Sequence, residues 1–263
     1  MTTTTSPDGT PIGFEQTGTG NPLVLVDGAL GYRAGGPSGP LAALLASEFT
    51  VFTYDRRARG ESGDTQPYAV EREVEDLAAV IGEAGGSAGV YGTSSGARLA
   101  LQAAVQGVEM SALALWEPNF IVDDSRAPLP SDYVSHLEEL VGAGKREEAV
   151  EYFLTQGAGI PAEFVAQMRG TPPMAWMGSV AHTLAYDARV VDGMILRPDV
   201  VAAVSTQTLV LDGGTTPWLS AGAHALTAAM PSATHREITG QQHDVQPDAI
   251  APALIEFFSK AGS

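Results

Sequence analysis

The chain has no cysteine among its 263 residues. That absence excludes disulfides, thiolate metal sites and a cysteine nucleophile. Basic residues are also scarce: 14 Lys and Arg stand against 31 Asp and Glu, a formal net charge of −17. So large an acidic excess repels phosphate backbones and anionic lipid, so neither nucleic acid nor a membrane is expected as a partner. There is no run of about 18 apolar residues to span a bilayer. The opening Met1-Thr2-Thr3-Thr4-Thr5-Ser6-Pro7 has neither the basic region nor the apolar core of a secretory leader, and a cytoplasmic protein is expected. No internal repeat, low-complexity tract or interdomain linker interrupts the chain. What remains is 44% apolar and 17% charged, the balance of a globular protein with a sizeable core.

The most informative stretch is Val90-Tyr91-Gly92-Thr93-Ser94-Ser95-Gly96-Ala97, followed at once by an Ala/Leu-rich run. Branched and aromatic residues, then GxSxG, then helix formers, read as strand, sharp turn and helix with Ser94 at the apex. Glycine is required at both flanks because a side chain there would strike the adjoining strand or helix. The strained turn holds the Ser94 hydroxyl at the C-terminal edge of a sheet.

The surrounding chain alternates strands and helices. A hairpin is expected around Pro7-Asp8-Gly9, with strands over 22–26, 49–54, 87–91 and 112–116. A long amphipathic helix over 68–84 carries Val70, Val74, Leu77, Val80 and Ile81 on one face. After Glu117-Pro118 the pattern changes to helices alone, over 131–143, 146–156, 162–168 and 173–186. Strands return over 208–211 and 234–238, with helices over 218–229 and 248–260. The pattern predicts an α/β fold with a mostly parallel, doubly wound sheet, formed by residues 1–117 and 199–263, and a helical lid over 118–198. Parallel sheets bind ligands at the C-terminal ends of their strands. Met168, Met174, Trp176, Met177 and Tyr186 either line a greasy pocket under that lid or form the lid's own core. Arg56, Arg57 and Arg59 read as a structural ion-pair loop rather than an anion site.

The loop Asp27-Gly28, the segment Asp55-Arg56-Arg57-Ala58-Arg59-Gly60-Glu61-Ser62-Gly63, the elbow at Ser94 and a late His243 together resemble the α/β-hydrolase fold family over nearly the whole chain. The resemblance implies the order serine, acid, histidine, with His243 taking the proton of Ser94. The family's usual acid is missing, because its place before Pro217 is held by Thr216. The other location in the family is the end of the strand after the elbow helix, where Glu117 stands; Asp212 and Asp123 are its rivals. A Ser, Glu and His set with an Asp-Gly loop and a GxSSGA elbow resembles the zearalenone lactone hydrolases. By that likeness the backbone N–H groups of Ser95 and of Gly28 or Ala29 form the oxyanion hole. Asp27 either bonds substrate or braces its loop, and Leu30, Trp176, Met177 and Tyr186 are candidates to line the substrate site. The implied reaction is hydrolysis of a hydrophobic small-molecule ester or lactone without cofactor or metal. A ligand receptor on the same scaffold, or a cyclase, lyase or carbon–carbon hydrolase, is the alternative.

Overall fold

The computed structural model describes residues 2–261. The hairpin forms between β1 (Thr2–Thr5) and β2 (Pro11–Thr17), which pair antiparallel. The remaining strands are β3 (Asn21–Val26), β4 (Phe49–Tyr54), β5 (Ala88–Thr93), β6 (Met110–Trp116), β7 (Thr208–Asp212) and β8 (Ala233–Glu237). They form one sheet in the order β1-β2-β4-β3-β5-β6-β7-β8. From β4 to β8 every pairing is parallel. The C-terminal ends of β3, β5, β6 and β7 therefore lie side by side, which is what gathers the candidate residues at one edge.

Both faces of the central strands are apolar, as a parallel sheet requires. Alternate residues Val24, Val26, Val90, Leu113, Leu115 and Val210 pack into one buried cluster, and Leu23, Leu25, Tyr91, Ala114, Trp116 and Leu211 into the other. Helices α1 (Ser38–Leu45), α2 (Val70–Glu83) and α3 (Ser95–Val105) follow β3, β4 and β5. The predicted stripe on α2 is real: Val74, Leu77, Val80 and Ile81 are buried in the first cluster, with Val70 packed against it. Truncating a fully buried residue such as Leu113 to alanine would cost about 2–5 kcal/mol.

Between β6 and β7 the chain is helical: α4 (Tyr133–Gly142), α5 (Arg146–Tyr152) running into a π turn (Phe153–Gly157), α6 (Ala162–Gln167), α7 (Pro172–Val180), α8 (Leu184–Val191) and α9 (Pro198–Val201). The sequence pattern suggests one helix over 173–186, whereas the structure contains two. A 3-10 turn (Ala181–Thr183) separates them, and the Thr183 hydroxyl donates to the Val180 carbonyl at 2.9 Å. A hydroxyl competing for backbone acceptors is a common local reason for a helix to break. The inserted helices bury their own cluster, which includes Leu137, Leu154, Met174, Met177 and Leu184. Finally α10 (Pro217–Ala229) covers the β7 and β8 side of the first cluster, and α11 (Pro247–Ala261) packs with α1 on the second. Among the described residues no helix is long and apolar enough to cross a membrane.

Candidate active site

β5 delivers Ser94 into an unusual backbone conformation, φ 56° and ψ −122°. A non-glycine residue there carries strain of about 1–3 kcal/mol, which the surrounding packing must hold. The Ser94 N–H donates to the Trp116 carbonyl at 2.9 Å, tying the turn to the neighbouring strand. A β-carbon on Gly92 would lie 2.6 Å from the Gly96 carbonyl oxygen, and one on Gly96 would lie 2.5 Å from that of Asp27. Both glycines are therefore demanded by close backbone approach.

One strand over, β6 ends at Trp116 and Glu117 turns with φ 42°. Its N–H donates to the Leu211 carbonyl at 2.8 Å, and its side chain is completely buried. Glu117 Oε1 accepts the Gly213 N–H at 3.1 Å and Oε2 lies 2.6 Å from His243 Nδ1. On the other side of the ring, His243 Nε2 lies 3.0 Å from Ser94 Oγ. A carboxylate only accepts, so Nδ1 carries the proton and Nε2 is left to receive one from the serine. The His243 loop is itself anchored, because the Trp116 indole N–H donates to the His243 carbonyl at 2.9 Å. Thus Ser94, His243 and Glu117 are brought into one unbroken chain of contacts.

The rival acids lie elsewhere. Asp212 is buried, but Oδ1 accepts from Ser220 Oγ at 2.7 Å and from the Gly214 N–H at 2.8 Å, and Oδ2 meets His235 Nε2 at 2.5 Å. Burial pushes its carboxyl up, yet the bonds from Ser220, His235 and Gly214 outweigh it and hold Asp212 below the usual carboxylate range. Asp123 is bonded to Ser125 on an exposed loop.

The loop after β3 runs against the serine. A β-carbon on Gly28 would lie 3.0 Å from Ser94 Cβ, so only glycine lets the backbone pass this close without displacing something. Arginine side chains hold that loop from behind: Arg59 Nη1 donates to the Gly28 and Gly31 carbonyls at 2.6 and 3.0 Å, and Arg56 Nη1 to the Asp27 carbonyl at 3.3 Å. In a trans peptide the N–H points opposite to the C=O of the same unit, so the Gly28 N–H faces away from Arg56 and the Ala29 N–H away from Arg59. The Ser95 N–H opens α3, where the helix dipole favours negative charge.

The remaining sequence candidates divide. Asp27 is buried to 1% exposure; its Oδ1 accepts from Ser38 Oγ at 2.5 Å, and its carboxyl lies where β-carbons on Gly31 and Gly36 would be. It braces its loop through Ser38, while its buried Oδ2 has no hydrogen-bond partner. Burial raises its carboxyl above the usual range, against the Ser38 hydrogen bond and the charges of Arg59 and Arg56. Leu30 inserts into the cluster of the inserted helices together with Met177, while Met174 is wholly enclosed there. Trp176 is half-buried, stacks on Tyr32 and donates to its hydroxyl at 3.0 Å. Tyr186 does not join them: it lies flat on Tyr68 at 3.7 Å, and its hydroxyl meets Gln66 and Asp64. A helix that turns at residues 181–183 carries Tyr186 to the seam with the loop after β4.

Two side chains of consequence escape sequence reasoning. Asn119 Nδ2 lies 3.4 Å from Ser94 Oγ, while its buried Oδ1 has no partner. Asp187 on α8 accepts from Arg56 at 2.8 Å, Arg59 at 2.7 Å and Ser95 Oγ at 2.7 Å. Burial pushes the Asp187 carboxyl up, but the charges of Arg59 and Arg56 outweigh that and hold it down. Three buried arginines do demand buried carboxylates, and Glu73 and Asp76 are the other two. A small cavity of about 30 Å³ adjoins His243, Tyr91 and Ser38, and a larger one of about 480 Å³ opens on the inserted helices between His136, Tyr152 and Arg169. The larger one touches none of the three residues of the contact chain.

The sequence profile of the alpha/beta hydrolase family matches residues 20–253. The chain belongs to the alpha/beta hydrolase family. Its fold is that of an alpha/beta hydrolase from Sphaerobacter thermophilus DSM 20745, 51% identical over 98% of this chain and 100% of that one, with a TM-score of 0.92. It is also similar to a thermophilic esterase from Thermogutta terrifontis, 22% identical over 100% and 99% of the two chains with a TM-score of 0.70. An N-formylmaleamic acid deformylase from Pseudomonas putida S16 is 22% identical over 100% and 99%, with a TM-score of 0.62. At that identity the last two show the fold alone. No curated protein matches the chain.

Proposed function

We propose that this alpha/beta hydrolase is a serine hydrolase of carboxylic esters or lactones with a hydrophobic body. The observation that carries the reading is the contact chain Ser94 Oγ, His243 Nε2 at 3.0 Å, His243 Nδ1 and Glu117 Oε2 at 2.6 Å. Serine is a weak nucleophile until a base takes its proton, and His243 is placed to take it. Ser94 Oγ attacks the substrate carbonyl carbon as its proton passes to Nε2, and the carbonyl becomes an oxyanion. The N–H of Ser95 and that of Gly28 or Ala29 receive the developing charge, each such donor being worth about 10²–10³ in rate. Collapse breaks the carbon–oxygen bond, the leaving alkoxide takes the proton from His243, and water repeats the sequence on the acyl-enzyme. Glu117 holds the imidazole in the needed tautomer and stabilises the imidazolium.

A glutamate after β6, in place of an aspartate before Pro217, favours the lactone-cleaving branch that the zearalenone lactone hydrolases represent. Residues 118–198 then act as a cap, with Leu30, Met177 and Trp176 at its seam with the loop after β3. The test is hydrolysis of short and medium p-nitrophenyl esters and a macrocyclic resorcylic lactone by wild type and Ser94→Ala. Turnover that falls by about 10⁴-fold or more in Ser94→Ala supports the reading. Wild type that binds these compounds without turning them over refutes it in favour of a receptor.

A further inference from the structure

We propose that Asp212, His224 and His235 form a binding site for one zinc ion at the β7–β8 edge of the sheet. Their ligand atoms lie within 4.8 Å of one another. The grouping follows from the fold. In the parallel register Asp212 pairs with Glu237 and Val210 with His235, so Asp212 and His235 stand on the same face, two positions apart. Val210 on that face packs with Ala223 and Leu226 of α10, which places α10 over it. Ser220 on α10 reaches Asp212 Oδ1 at 2.7 Å, and His224 lies one helical turn further along the same stripe. Its ring centre is 4.2 Å from that of His235.

The chemistry of the three suits a borderline cation. Two imidazoles and one carboxylate are a set that zinc accepts with water completing a tetrahedron. Bond lengths of about 2.0–2.2 Å put ligand atoms roughly 3.3 Å apart in that geometry. His235 Nε2 and Asp212 Oδ2, now hydrogen-bonded at 2.5 Å, separate slightly when the ion comes between them, and the exposed His224 closes in by rotation. The carboxylate is already held from behind, since Ser220 Oγ and the Gly214 N–H occupy Oδ1 and leave Oδ2 directed at the imidazole. Such outer bonds fix the ligand before the metal arrives. The net charge of −17 raises the local concentration of any divalent cation. Zinc here is structural: it clamps the edge strand β8 and α10 to the end of β7, whose next residue, Gly213, donates to Glu117. The proposal does not rest on the hydrolase reading.

The experiment is calorimetric titration of zinc chloride into the chelator-stripped full chain at pH 7.5, with wild type, His224→Ala and His136→Ala. His224 is exposed, so its truncation leaves the fold intact, as circular dichroism will verify. The expected result is one zinc per chain for wild type and His136→Ala, and at least tenfold weaker binding for His224→Ala. A second readout is the melting temperature, raised by excess zinc in wild type and raised less in His224→Ala. Absence of saturable binding, or equal binding by wild type and His224→Ala, overturns the proposal.

Discussion

Asp187 accepts the Ser95 hydroxyl at 2.7 Å, so a carboxylate from the inserted helices is bonded to the residue that follows Ser94. The same carboxylate holds Arg56 and Arg59, whose other hydrogens reach the carbonyls of Asp27 and Gly28. One buried negative charge therefore fixes α8, the first turn of α3 and the loop after β3 together. Seating of the helical insertion and the shape of the proposed oxyanion hole depend on a common group.

Asp187→Asn tests that dependence. Removing one partner from a buried ion-pair network strands the others, at a cost of about 3–5 kcal/mol. Urea unfolding should show a loss of that size, while Asp192→Asn, which breaks an exposed pair with Arg197, should cost no more than about 1 kcal/mol. In the protein that remains folded, kcat should fall at least tenfold with KM changed little, because the arginines set the loop and do not bind substrate.

The identity of the acid is tested by a pair of variants. Glu117→Gln offers an amide to the His243 imidazole and favours the wrong tautomer, so kcat on a p-nitrophenyl ester should fall by about 10⁴-fold. Asp212→Asn disturbs only the contacts with Ser220, Gly214 and His235, and should leave kcat within a few fold while lowering stability. The reverse pattern would move the acid to Asp212.

Much of this geometry is legible in the residues. GxSxG between a branched run and an Ala/Leu run marks Ser94, and the alternation of strands and helices gives the sheet its parallel order and hence the shared edge with Glu117 and His243. What is not legible depends on contacts distant in sequence. Asp187 lies 131 residues from Arg56, its partner. Nothing local distinguishes it on a short helix, and a helical period carried unbroken through Ala181 and Thr183 ends before it. The packing of Asp27 and Tyr186 is hidden for a related reason. A polar side chain at a loop near the elbow invites a ligand role, but burial against Gly31 and Gly36, and stacking on Tyr68, become visible only in three dimensions.

Two aspartates should carry opposite pH signatures. Asp27 has a raised folded-state value, so below the unfolded value of about 3.9 it costs nothing, and its ionisation opposes folding as pH rises through the folded value. Asp27→Asn, which keeps an oxygen for Ser38, should therefore gain stability relative to wild type as pH rises from about 4. Asp187 has a lowered value, so its contribution is fully present above about 3.9 and is lost only on acidification below that. The stability cost of Asp187→Asn should be constant between pH 5 and 8. Chemical denaturation of the three proteins from about pH 3 to 8 checks both signs.

Gly28→Ala separates loop geometry from stability. The added methyl would sit 3.0 Å from Ser94 Cβ and 3.0 Å from the Thr93 carbonyl oxygen, and backbone on one side cannot yield without moving the elbow. The loop must move instead, although Arg59 still grips the Gly28 carbonyl. A displacement of a few tenths of an ångström misaims the N–H groups of residues 28 and 29. The expected outcome is a fall in kcat of about 10²–10³, the loss typical of one oxyanion donor. Melting temperature should drop far less than in Gly96→Ala, whose β-carbon meets the Asp27 carbonyl at 2.5 Å in the tightest part of the turn. Wild-type kcat in Gly28→Ala would mean that the charge in the transition state is stabilised elsewhere, with Asn119 Nδ2, 3.4 Å from Ser94 Oγ, the next group to mutate.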